Sequence, residues 1–270
     1  MAKLYIVPTP IGNLEDITLR AIRILEEVDY ILAEDTRTSS VLLKHLNIEK
    51  PLRSHHKFNE HATVRAVAEA IEAGRNVALI SDAGTPGISD PGFLLVRTCV
   101  EEGIEVETLP GATACIPALV QSGFPCDRFC FEGFLSTAKK SRREHLESLI
   151  GEQRTMIFYE APHKLLATLE DMAQVFGSER PISLCRELTK LHEEVVRTTL
   201  GGAIELYSQQ APKGEFVLVV AGAHPPVKEE FTTTDAAQRV KQLMEEGLSR
   251  KDAVKQTAKE LDLPKNAVYE

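Results

Sequence analysis

Four short β-prone runs, LYIV at 4–7, YILA at 30–33, VALI at 77–80 and VETL at 106–109, alternate in the chain with segments of helical period. Residues 19–28 form the first such segment. Val64, Val67, Ala68 and Ile71 then give the i, i+3, i+4, i+7 stripe of an amphipathic helix that stops at Gly74, and residues 93–100 form another, ended by Gly103. Parallel strands need crossover connections, usually helices. Residues 1–118 are therefore predicted to be an α/β domain with a mostly parallel sheet and helices on both faces. Ligands of such open sheets bind outside the carboxyl ends of the strands.

Beyond about Asp127 the alternation loosens. Strands are expected at 129–134, 155–159, 181–185 and 216–220, with helices at 141–150 and 164–176, giving a second α/β domain over 119–224 with a mixed sheet. The run AHPPVKEE at 223–230 reads as a polar linker. A small helical tail completes 225–270: Ser249 and Asp252 resemble a capping box, Val254, Ala258 and Leu261 form an apolar stripe, and Leu263 and Pro264 open a further helix. With 270 residues and 43% hydrophobic content, two such domains can each fill a core.

Charge and cysteine usage exclude several classes. A net charge of −9 argues against a general nucleic-acid coat and confines any nucleic-acid contact to local patches. Five scattered cysteines, Cys99, Cys115, Cys126, Cys130 and Cys185, suit reduced thiols better than a disulfide framework. No targeting pattern opens the chain, and the longest apolar run, 216–223, is too short for a membrane helix. A cytoplasmic protein without membrane partners is expected. His55, His56 and His61 cluster with Glu60, but their spacing matches no standard zinc pattern, so no metal is expected.

Three loops rich in small residues follow strands of the first sheet: PTPIGN at 8–13, SDAGTPGISDPG at 81–92 and PGATA at 110–114. Such loops bring backbone N–H and C=O groups close to a ligand. Neither G-x-G-x-x-G after the first strand nor a P-loop motif is present, and no lysine or arginine stands at the loop centres. An adenosine-like ligand without phosphates fits, held by backbone groups and the hydroxyls of Thr85 and Thr113.

The motifs VPTPIGNLEDIT (7–18), AEDTR (33–37), KFNEH (57–61), SDAGTPGISDPG (81–92), PGATA (110–114), FYEAPHK (158–164) and CRELTK (185–190) resemble the ribosomal RNA small subunit methyltransferase I family. The resemblance spans residues 4–222. It implies two α/β domains of the tetrapyrrole methylase type with the cofactor cleft between them, S-adenosylmethionine as cofactor, and methylation of the ribose 2′-hydroxyl of a decoding-site cytidine in 16S rRNA of the small ribosomal subunit. It also implies a homodimer. By similarity, Pro10, Ala83, Gly84, Thr85, Ile88, Thr113, Ala114, Tyr159, Glu160 and Leu188 line the cofactor site. Where other members of the fold read glycine-glycine-aspartate-proline, this chain has Ala83, Gly84, Thr85 and Pro86, so an acidic contact is missing at Thr85; whether Asp82 replaces it is left open.

Methyl transfer from a sulfonium requires no metal, but a ribose hydroxyl is a weak acid and is helped by a base or by a cation near the forming alkoxide. Glu34, Asp35, Arg37, Glu160, His163, Arg186, Glu187 and Lys190 are the charged candidates, with Glu187 as base and Lys190 as stabiliser the preferred catalytic pair. Three residues apart, these two would share one side of a helical turn. Arg37, Asn59, His163 and Arg186 are expected on the substrate side. Lys139, Lys140, Arg142 and Arg143, the densest basic run, are expected to meet RNA phosphates. Two rival readings remain: a tetrapyrrole or other small-molecule methyltransferase of the same fold, and a non-catalytic nucleotide sensor whose tail binds DNA. The tail is neutral, with seven basic and seven acidic residues over 231–270, which weakens the DNA reading.

Overall fold

The computed structural model describes residues 1–223 and 233–261. Most of the linker reading, residues 224–230, and the helix expected from Leu263 lie outside the described residues. The chain divides into two compact units, Met1–Ala223 and His224–Glu270.

The first unit contains two five-stranded sheets. Strands β1 (Leu4–Ile6), β2 (Tyr30–Ala33), β3 (Leu52–Ser54), β4 (Val77–Ile80) and β5 (Val106–Thr108) pair entirely in parallel, in the order β3-β2-β4-β1-β5. Helices α1 (Leu19–Glu27), α2 (Thr36–His45), α3 (Glu60–Glu72) and α4 (Phe93–Glu101) cross between them. Because strand side chains alternate, each strand serves two cores. Ile31, Ala33, Ala78 and Ile80 pack with Ala21, Ile24 and Leu25 of α1 and Leu43 of α2. Tyr30, Leu32, Val77 and Leu79 pack with Val64, Val67 and Ile71 of α3 and Leu95 and Cys99 of α4. Full burial of each large apolar side chain contributes about 1.5–3 kcal/mol. Helix α1 is capped at Thr18, whose hydroxyl accepts the Ala21 N–H at 3.0 Å.

The second sheet is mixed, in the order β6-β7-β10-β8-β9. Its strands are β6 (Phe129–Phe134), β7 (Thr155–Glu160), β8 (Pro181–Arg186), β9 (Glu194–Thr199) and β10 (Phe216–Val220). Only the β6–β7 pair is parallel. Helices α6 (Lys139–Ser148), α7 (Leu165–Phe176) and α8 (Leu200–Gln209) cover the face that presents Met156, Phe158, Leu184 and Leu218. The opposite face, Ile157, Cys185, Val217 and Val219, packs on Ala118 and Leu119 of α5 (Cys115–Ser122). The boundary expected at residue 118 thus falls inside a helix that leaves the last loop of the first sheet and lies on the second.

The second unit contains α9 (Thr233–Glu245) and α10 (Arg250–Glu260), which bury Ala236, Val240, Leu243, Ala253, Val254 and Ala258 between them. Ser249 caps α10: its hydroxyl accepts the Asp252 N–H at 3.2 Å and lies 2.5 Å from the Asp252 carboxylate. No described helix is long and apolar enough to cross a membrane.

Candidate active site

The three small-residue loops meet at the carboxyl edge of the first sheet. Thr9 and Gly84 exchange two backbone hydrogen bonds, 2.9 and 3.0 Å, and the Thr9 hydroxyl donates to Ser81 O at 3.0 Å. Gly84 has φ +80°, a conformation that glycine adopts without cost. Thr85 donates its hydroxyl to Ala112 O at 3.2 Å, tying the second loop to the third. A Cβ on Gly111 would stand 2.6 Å from the Pro8 Cβ, so the first and third loops touch where neither has room to spare.

Between this edge and the second sheet lies a cavity of about 620 Å³. From the loops it is lined by Ile11, Ala83, Gly84, Thr85, Ile88, Thr113 and Ala114, and from the second half by Phe134, Tyr159, Glu160, His163, Leu188, Phe216 and Val217. Glu187 and Lys190 are also on the wall. All the residues expected at the cofactor site except Pro10 therefore come together. In place of Pro10 the next residue, Ile11, faces the cavity, because Thr9 is held inward by its bonds to Ser81 and Gly84. The Thr85 and Thr113 hydroxyls have other partners than a ligand: Thr85 has Ala112 O, and Thr113 lies 3.1 Å from the Cys115 thiol. They brace the loops. Tyr159 packs edge-on against Phe131 and Phe134, and its burial raises its phenol above the ordinary value.

Of the charged residues expected on the substrate side, only His163 lines the cavity. Arg37 is almost fully exposed and paired with Asp35 at 2.7 Å; that guanidinium lowers the Asp35 carboxyl to about 2. Asn59 is spent within its own loop, accepting from His56 N–H at 2.7 Å and donating to Ser54 O at 3.1 Å. Arg186 pairs with Glu194 of β9 at 3.0 Å. The basic run does not act as one patch. Arg142 is 8% exposed and its guanidinium lies 2.6 Å from Asp171, which Arg143 also meets at 2.8 Å. Helix α6 starts at Lys139, two residues earlier than expected, and Arg142 faces inward onto Asp171 of α7 instead of outward where a phosphate would be met, which corrects the phosphate role expected of it. Lys139 and Lys140 remain on the surface.

Glu187 and Lys190 are joined at 2.9 Å, but no helical turn brings them together. Glu187 (φ +52°) and Thr189 (φ +68°) both adopt left-handed backbone in the loop after β8. Glu187 also accepts the Glu215 N–H at 2.9 Å, and Lys190 reaches the Glu215 carboxylate at 2.9 Å. Lys190 first, and the Glu215 N–H second, hold the Glu187 carboxyl below its ordinary value. Burial works to lower Lys190, but its two carboxylate partners outweigh it and the ammonium is held above its usual value. A carboxylate so stabilised is a poor proton acceptor, which opposes the base role expected of Glu187.

Sequence reasoning did not assign Asp90, Phe134, Glu215, Phe216 or Val217 to this wall, and it left Asp82 open. Asp82 lines the cavity, and its Oδ1 accepts the Asp35 N–H at 3.1 Å, so it also ties the β4 loop to the end of β2. Asp90 stands in the SDAGTPGISDPG stretch beside Pro91, and its type alone carried no signal. Phe216 and Val217 belong to a strand whose residues read only as core.

The donor set of the cavity fits S-adenosylmethionine. Its walls combine apolar groups with the carboxylates of Glu34, Asp82, Asp90, Glu160, Glu187 and Glu215, against Lys190 and His163 as the basic side chains. That balance favours a ligand carrying a sulfonium and an ammonium and opposes a polyphosphate. The volume lies in the ordinary range for small-molecule sites, roughly 300–1,000 Å³.

A family profile described as Tetrapyrrole (Corrin/Porphyrin) Methylases matches residues 3–204. The chain is 50% identical over 270 residues to the ribosomal RNA small subunit methyltransferase I of Synechocystis sp., covering 100% of this chain and 97% of that one. To the Haemophilus influenzae protein of the same name it is 48% identical over 269 residues, covering 99% and 95%. Among solved structures, the uroporphyrin-III-C-methyltransferase of Thermus thermophilus superposes with a TM-score of 0.59 at 22% identity, over 82% of this chain and 94% of that one. A diphthine synthase superposes with a TM-score of 0.63 at 12% identity, over 82% and 90%. These two likenesses establish the shared fold.

Proposed function

The chain belongs to the tetrapyrrole methylase family and, within it, to the ribosomal RNA small subunit methyltransferase I group, and from that membership we propose that it methylates the ribose 2′-hydroxyl of a decoding-site cytidine in 16S rRNA. It is an S-adenosylmethionine-dependent methyltransferase of small-subunit rRNA. The observation that carries the finer reading is 48–50% identity along nearly the whole chain to relatives of that name, together with a cavity in which all the expected cofactor residues but Pro10 converge.

S-adenosylmethionine supplies a methyl group already activated by its sulfonium. The protein's task is to hold an acceptor oxygen in line with it and to manage the proton and the forming negative charge. Ala83, Gly84, Ile88 and Ala114 with Ile11 and Leu188 form the apolar cradle, and Thr85 and Thr113 keep the loops in register. Lys190, positive and anchored by Glu187 and Glu215, is placed to stabilise an alkoxide. Glu187 positions that ammonium. His163 faces the incoming ribose, and Lys139 and Lys140 meet phosphates outside the cavity. The assembled small subunit or a late precursor is the substrate, and the enzyme works as a cytoplasmic homodimer.

Incubation with labelled S-adenosylmethionine and 30S subunits, free 16S rRNA or tetrapyrrole precursors in parallel tests this reading, with the labelled nucleoside identified by mass spectrometry. Label in 2′-O-methylcytidine of the 30S sample is expected. Label on a base, or in the tetrapyrrole sample alone, rejects it.

A further inference from the structure

Among the described residues six carboxylates line the cavity, and five of them already accept hydrogen bonds. Asp82 accepts the Asp35 N–H, Asp90 is hydrogen-bonded by Ser81, and Glu215 is bound to Lys190. Glu160 is 3% exposed, with one oxygen on the Ala161 N–H at 2.8 Å and the other on the Thr168 hydroxyl at 2.6 Å. Glu187 is held by Lys190 and the Glu215 N–H. The side chain of Glu34, the first residue after β2, has no hydrogen-bond partner among the described residues. Each hydrogen bond or ion pair to a carboxylate stabilises its charged form and weakens it as a proton acceptor, and Glu34 receives none among the described residues. We propose that Glu34 is the general base that takes the proton from the ribose hydroxyl, with Lys190 facing the same cavity as the cation for the forming negative charge. This rests on the functional reading above.

The surroundings of Glu34 suit that role. Burial raises its pKa first, and the negative charges of Asp90, Asp82 and Asp35 raise it further; His56 is the opposing group. The carboxylate is thereby a stronger base than an exposed glutamate, while Glu187 has been made a weaker one. In the step itself the hydroxyl oxygen bonds to the methyl carbon as its proton passes to Glu34. The electron pair of the broken carbon–sulfur bond goes to sulfur, which becomes a neutral thioether, and Glu34 later returns the proton to water.

The test uses the full chain and 30S subunits. Glu34→Gln should bind S-adenosylmethionine within about threefold of wild type by calorimetry and lose kcat by about 10²–10⁴-fold. The acid limb of kcat/KM should fall above the ordinary glutamate range in wild type and move to lower pH in Asp90→Asn, which removes a negative neighbour of Glu34. A carbon-13 NMR titration, with the Glu34 signal assigned by its loss in Glu34→Gln, should show the same displacement without turnover. Wild-type kcat in Glu34→Gln, loss of cofactor binding in that variant, or an acid limb unmoved by Asp90→Asn would overturn the assignment. Wild-type enzyme that leaves 30S subunits unmethylated while binding S-adenosylmethionine would instead overturn the functional reading beneath it.

Discussion

Glu187 and Lys190 were paired by their spacing, and they do meet, but through two left-handed residues that no local rule foretells. The contact changes what each can do. Bound to two carboxylates, Lys190 stays protonated and fixed, so Lys190→Met should lower kcat about 10²-fold with cofactor binding retained. Glu187→Gln, which loosens that ammonium without removing it, should cost less than about tenfold. Equal losses in the two variants, measured by single-turnover methylation of 30S subunits, would return Glu187 to a direct chemical role. Asp171 is a second residue decided by its neighbours. Burial works to raise its pKa, and the guanidiniums of Arg143 and Arg142 outweigh it and bring it below 3.8. Its contribution to stability is therefore complete above the ordinary aspartate value and is lost as pH falls through the lowered one. Asp171→Leu leaves Arg142 buried without its carboxylate and should cost about 3 kcal/mol by urea denaturation at pH 7, less in strong acid.

At the scale of elements, the active site depends on how closely loops approach. Gly111 against Pro8 joins the first and third loops of the first sheet, and Gly12 lies against Lys190, Thr189 and Leu188 of the loop after β8. Gly111→Val should separate the first two and weaken S-adenosylmethionine binding by roughly tenfold or more, about 1.4 kcal/mol, as read by calorimetry; unchanged affinity would mean that the loops yield independently. The elements themselves were unequally legible. Strands β2, β4, β6 and β10 coincide with the apolar runs read from the sequence. Helices α2, α5 and α8 and strands β3 and β9 were not read. Helix α8 carries Gly201 and Gly202 in its first turn, which lower helical propensity, and α5 carries Pro117 within its first turn, where proline is tolerated. Strand β3 has three residues, none of them buried, so its pairing with β2 has no hydrophobic signature.

For the molecule as a whole, a net charge of −9 must be reconciled with an RNA substrate. With Arg142 and Arg143 committed to Asp171, the surface charge at the start of α6 is reduced to Lys139 and Lys140. Replacing both by Gln should flatten the dependence of log K on log salt for 30S binding by about 1.5, while leaving the 620 Å³ cavity and its cofactor affinity intact. An unchanged slope would place the RNA-binding surface elsewhere. The apolar strands and amphipathic helices of the first half, the α/β class, the three loops and the family follow from the sequence alone, because periodicity, glycine and proline placement and long ordered motifs are local properties that survive without coordinates. The tertiary structure decided which polar groups remain free. It spent the Thr85 and Thr113 hydroxyls on the loops, Arg142 on Asp171 and Glu187 on Lys190, and it left the Glu34 carboxylate without a hydrogen bond among the described residues. Residue type states what a side chain can donate or accept, but whether that capacity is already used depends on groups brought from distant parts of the chain.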